Sequence, residues 1–102
     1  MGWATDAVRE IRAGRSARVR PRGGSMRGRI EDGQHVTLTP VEAGDVKEGD
    51  AVLVRWRGGF LLHLVKRVEG DRFLIGNNVG RINGWVSADA VLARVTELGP
   101  RP

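Results

Sequence analysis

Glycine placement constrains this chain more than any other feature. From Ser16 onward helical periodicity disappears, and short apolar stretches are bounded by glycine-containing turns. Such a pattern directs the chain to short β-strands. Strands are predicted at Ala17–Arg20, His35–Thr39, Ala51–Trp56, Phe60–Val68, Arg72–Ile75, Gly84–Val86 and Val91–Leu98. Gly58-Gly59 is expected to close a tight hairpin between the third and fourth strands, and Glu69-Gly70-Asp71 the next. "IEDGQHV" and "VKEGDAV" are both acidic-glycine turns leading into a strand, without further similarity that would make them a repeat. Ahead of the strands, Thr5-Asp6 is expected to cap a helix running to about Ala13. Trp3, Ala7, Val8 and Ile11 supply its apolar side, and Gly14 ends it. A chain of 102 residues forms one domain that buries about two-thirds of its unfolded surface. The expected fold is mainly β: a compact, mostly antiparallel β domain over residues 16–99, with a short basic helical arm over 1–15 and a tail over 100–102.

Composition narrows the function classes. Hydrophobic residues at 40 % and charged residues at 28 % fit an ordinary folded protein. No apolar run approaches the roughly 20 residues that cross a bilayer. Asp6 and Glu10 interrupt the place where an export signal needs an uncharged apolar core. A cytoplasmic protein without a membrane segment is expected. The absence of cysteine excludes disulfides and thiol nucleophiles. His35 and His63 alone are too few for a zinc site, so no cofactor is expected. Charge is uneven: eight arginines against Asp6 and Glu10 give residues 1–29 a net +6, whereas residues 30–102 carry nine basic and ten acidic groups. The arginine-rich arm is available to an acidic partner, nucleic acid or anionic lipid, or is simply a solvated face. Of 17 basic residues 15 are arginine, which leaves Lys47, in a surface turn, and Lys66. A lysine retained in such a chain points to a task that arginine, which keeps its proton, cannot perform.

Lys66 lies in "FLLHLVKRV", Phe60 to Val68. Alternation along a strand places Phe60, Leu62, Leu64, Lys66 and Val68 on one face, and Leu61, His63, Val65 and Arg67 on the other. The first face is apolar except for Lys66. Burial penalises an ammonium, so a lysine on that face can serve as a general base, or it can extend its charged end to the surface. A bulge would also release it. The partner for such a base is Ser25 in "RGGSMRGRI". A serine is a poor nucleophile until a base takes its proton, and a serine–lysine pair is one solution. Gly23 and Gly24 let the backbone approach a carbonyl and turn N–H groups toward an oxyanion, while Met26 packs beneath the turn.

Three blocks occur in order: G-x-S-M at Gly23–Met26, G-D-x-V at Gly49–Val52, and a lysine-arginine strand at Lys66–Val68. A weaker fourth comprises "GNN", Gly76–Asn78, and "NGWV", Asn83–Val86. From about Val19 to Leu98 the chain resembles the Ser–Lys peptidase superfamily, which includes type I signal peptidases and self-cleaving LexA-like repressors. The resemblance implies Ser25 as nucleophile, Lys66 as base, an oxyanion site on the backbone of Gly23, Gly24, Ser25 and Met26, and site support from Asn77 and Asn78. Gly28 stands where signal peptidases have proline, Gly23 where some relatives have a hydroxyl residue, and Asn77 where signal peptidases carry aspartate. The nearest upstream bond of the type that self-cleaving relatives cut, Ala13-Gly14, is too close to Ser25 to loop back. The implied activity is a soluble serine endopeptidase acting on a leader, propeptide or exposed segment of another protein, with homodimers common among relatives. A catalytically weak module that binds extended peptides is the first alternative. A nucleic-acid-binding β domain using the arginine arm is the second, although no stacking platform is evident among the five aromatics.

Overall fold

A computed structural model describes residues 2–102. One helix, α1 (Trp3–Arg12), precedes seven strands: β1 (Ala17–Val19), β2 (Val36–Pro40), β3 (Ala51–Trp56), β4 (Gly59–Glu69), β5 (Arg72–Gly76), β6 (Ile82–Ser87) and β7 (Val91–Leu98). They form a single sheet in the order β1-β2-β7-β3-β4-β5-β6. Every neighbouring pair is antiparallel. The fold is the expected compact, mostly antiparallel β domain with a short N-terminal helix. Among the described residues no helix is long and apolar enough to cross a membrane.

Apolar side chains gather on both sides of the sheet. One cluster joins Ala7, Val8 and Ile11 of α1 to Val36, Leu38, Leu53, Leu62, Leu64 and Ala93. The other joins Val52, Val54, Val65, Phe73, Ile75, Val86 and Val91. Strand β3 lies between them, and Ala51 to Val54 are all buried. That double burial explains why "AVLV" is an unbroken apolar run rather than an alternating one. Each fully buried Val, Leu, Ile or Phe contributes about 1.5–3 kcal/mol.

Two local expectations are corrected. The helix begins at Trp3 and is preceded by extended Gly2, with no side-chain cap. Thr5-Asp6 therefore lies inside the first turns, where the Asp6 carboxylate complements the positive end of the helix dipole. Its C-terminus behaves as the glycine predicts. Gly14 adopts φ +83, its N–H donates to the Ile11 carbonyl, and the Arg15 N–H donates to that of Glu10. The β3–β4 turn is Arg57-Gly58 rather than Gly58-Gly59, because Gly59 already pairs with Trp56. Positive φ at Arg57 (+47) and Gly58 (+79) matches a two-residue turn whose twist suits a hairpin.

Two bulges control the site. Between β4 and β5, Val65 pairs with Ile75 and Arg67 with the adjacent Leu74, leaving Lys66 as an extra residue. Between β5 and β6, Ile75 pairs with Gly84 and Gly76 with Ile82, leaving Asn83 extra. A bulge breaks the two-residue repeat and re-aims a side chain. Lys66 is only half-buried, with its stem beside Gly76, the residue paired with Leu64, and beyond the bulge the alternation is shifted, so that Val68 pairs with Phe73 of the other cluster.

Candidate active site

Ser25 stands on the connection between β1 and β2. The Arg27 N–H donates to the Gly24 carbonyl, and the N–H groups of Arg29 and Ile30 both donate to that of Met26. Met26 and Ile30 are buried in the cluster containing Leu62 and Leu64, so the serine's turn is pinned to β4 by its own apolar side chains. Met26 thus takes the expected position beneath the turn. Asp32 accepts the Gly23 N–H at 2.7 Å, and Glu31 accepts that of Gly28 at 2.7 Å.

The β5–β6 connection clamps the same turn from its other side. The Asn78 backbone N–H donates to the Ser25 carbonyl at 2.9 Å. Its side-chain amide donates to the Arg27 carbonyl, also at 2.9 Å. Buried Asn77 accepts the N–H groups of Val79 and Arg81 through Oδ1, and its own N–H donates to the Arg81 carbonyl. Asn77 shapes the loop, and Asn78 attaches it to the serine's turn. An aspartate at 77 could also accept those two N–H bonds, so the neutral amide preserves the geometry while removing the charge.

The side-chain partner of Ser25 is His63. Ser25 Oγ lies 3.3 Å from His63 Nε2. His63 Nδ1 lies 2.7 Å from Asn83 Oδ1. An amide oxygen only accepts, so Nδ1 carries the ring proton and Nε2 presents its lone pair to the serine hydroxyl. This is the geometry of a nucleophile, a base and a group that orients the base. The sheet makes room for it because β5 ends at Gly76, opposite Leu64, one residue before His63. Beyond that end, the bulge in β6 delivers Asn83 to the ring.

Burial favours the neutral form of this imidazole. His63 is 8 % exposed, and burial pushes its pKa below the ordinary value. The Asn83 hydrogen bond opposes the shift, while the nearby Arg81 and Lys66 cations add to it. A neutral imidazole can accept a proton at neutral pH.

A cavity of about 230 Å³ opens beside Ser25 and His63. Trp3, Met26, Ile30, Phe60 and Leu62 form its apolar wall. The N–H groups of Gly24, Ser25 and Met26 make no hydrogen bond with any described residue. The Gly23 N–H, expected among these donors, is occupied by Asp32.

The structure therefore brings together Ser25, Gly24, Met26 and Asn78 of the expected site. It gives Ser25 a hydrogen bond to His63, not to Lys66, and Lys66 does not line the cavity. His63 and Asn83 were not anticipated in these roles. Their signals were a histidine three positions before Lys66 in the same strand and an asparagine opening the "NGWV" block. No group of three or more His, Cys, Asp or Glu residues capable of holding a metal occurs among the described residues. Compared with protein-family models, with curated proteins and with solved structures, the chain has no significant match.

Proposed function

We propose that this protein is a serine endopeptidase in which Ser25 is the nucleophile, His63 the general base and Asn83 the residue that orients the imidazole. The observation that carries the reading is the continuous Ser25–His63–Asn83 hydrogen-bonded chain at the mouth of a partly apolar cavity. His63 Nε2 takes the proton as Ser25 Oγ attacks a peptide carbonyl, giving a tetrahedral intermediate and an imidazolium. Backbone N–H groups of the serine's turn stabilise the oxyanion. The imidazolium then protonates the leaving amine, and water, activated by the same ring, releases the acid from the acyl-enzyme. The resemblance to Ser–Lys peptidases supports peptide substrates, while the geometry favours histidine over lysine as the base. The substrate on this reading is an exposed segment of another protein.

The decisive experiment incubates the native chain and its Ser25→Ala, His63→Ala and Lys66→Met variants with unstructured peptides, read by mass spectrometry. Ser25→Ala abolishes cleavage, and His63→Ala lowers it by about 10²–10⁴-fold, the worth of a general base. Lys66→Met lowers it by far less. Loss of cleavage in Lys66→Met with retention in His63→Ala restores the lysine as base. A folded native chain that binds peptides without cutting them, equally well as Ser25→Ala, favours the peptide-binding module.

A further inference from the structure

Resting on the peptidase reading, we infer that the cavity beside Ser25 receives a large apolar side chain from a residue flanking the scissile bond, and that Trp3 of α1 sets this preference. Ser25 and His63 both border the cavity, so a side chain seated in it belongs to a residue adjoining the attacked carbonyl. An apolar cavity of about 150 Å³ already holds a benzene molecule. At about 230 Å³ this one has room for the side chain of Leu, Met or Phe. Of its apolar lining, Met26, Ile30 and Leu62 belong to the cluster on which α1 packs through Ala7, Val8 and Ile11. Trp3 and Phe60 are only partly buried against that cluster. The two rings therefore keep apolar surface at the cavity, and a substrate side chain of the same character removes it from water.

Two charged residues border the same cavity, and each already has a partner. Arg22 lies 3.3 Å from Asp32, while Glu31 accepts the Gly28 N–H at 2.7 Å and lies 3.9 Å from Arg101. Neither offers an unpaired charge to a substrate side chain, and an ionised group buried without a partner is penalised. Trp3 also borders a second cavity, of about 460 Å³, between α1 and β1. Asp6, Glu10, Arg18 and Arg20 contribute to the lining of that second space. The indole is thus the wall shared by an apolar space at Ser25 and a charged groove behind it. Truncation at Trp3 is expected to join the two and to remove one of the two aromatic rings at the cavity. The helix therefore acts on specificity through its first residue, 22 positions ahead of the serine it serves.

The test is a randomised peptide library cut by the native chain, followed by matched peptides with Leu, Phe, Ala, Glu or Lys at the positions flanking each observed cut. At one of those positions Leu and Phe are expected to exceed Ala by about tenfold or more in kcat/KM, with Glu and Lys below Ala. Trp3→Ala should lower the Leu/Ala ratio and Trp3→Phe should retain most of it, provided thermal melts show folded protein. Phe60→Ala, from the other ring at the cavity, should lower the ratio as well. Binding of the Leu and Ala peptides to Ser25→Ala, measured by fluorescence anisotropy, should show the same order without chemistry. A folded Trp3→Ala with an unchanged Leu/Ala ratio overturns the role of Trp3. Equal handling of Leu and Ala, or a preference for Glu or Lys, with Ser25 labelled by a fluorophosphonate probe, overturns the selectivity and leaves the peptidase reading standing. Absence of both labelling and cleavage overturns the peptidase reading, and this inference with it.

Discussion

His63 occupies the last position on β4 before β5 begins to pair, and its proposed chemistry follows from that location. Burial and the cations of Arg81 and Lys66 lower its pKa from 6.5, against the pull of Asn83. In the proposed mechanism, kcat/KM is therefore flat at neutral pH and falls on an acid limb centred below 6.5. A pH–rate profile checks this, and a rise continuing into the alkaline range would instead indicate a lysine base. Stability has the same sign. A group whose folded pKa is depressed leaves the unfolded chain binding more protons, so stability declines as pH drops below about 6.5 and levels off beneath the folded pKa. Removing Asn83 takes away the interaction opposing the depression. Asn83→Ala should move the acid limb lower still while slowing turnover, which the same profile resolves.

Single elements act here through their irregularities. Regular alternation places Val68 with Leu62 and Leu64, and one inserted residue in β4 pairs it instead with Phe73 of the other cluster. The matching insertion in β6 supplies Asn83 to His63. A bulge depends on pairing with a neighbouring strand, so a strand read alone gives no sign of it. The turn carrying Ser25 is equally sensitive. Gly28 has φ +94, and an added Cβ would stand 2.9 Å from Asn78 Nδ2, the amide that clamps the Arg27 carbonyl. Gly28→Ala is expected to destabilise the protein by about 1–3 kcal/mol and to loosen the serine's turn. Denaturant melts measure the first effect, and the rate of fluorophosphonate labelling at Ser25 the second.

At the scale of the whole molecule, the sheet separates two apolar clusters and ties distant segments together. β7, the last strand, lies between β2 and β3. Gln34 adds a polar tie, accepting the Glu31 N–H and donating to the Gly99 carbonyl at 2.7 Å. Phe73 is 2 % exposed in the cluster away from α1. Phe73→Ala should cost about 3–5 kcal/mol through lost burial and a residual cavity. The melting temperature should fall by about 4–8 °C for each kcal/mol lost, as calorimetry would show.

The sequence by itself determined the class of fold, the seven strand segments to within a few residues, the glycine end of the helix and the turn that presents Ser25. Those features depend on local chemistry: alternation of apolar side chains, backbone freedom at Gly14, and Met26 placed to anchor the serine's turn. Tertiary structure decided the strand order, the two bulges and the side chain that meets Ser25. The reason is parity. Assigning faces by counting assumes an unbroken pleat, and one extra residue in β4 and one in β6, each fixed only by pairing with β5, shift the alternation beyond Lys66 and bring Asn83 to His63.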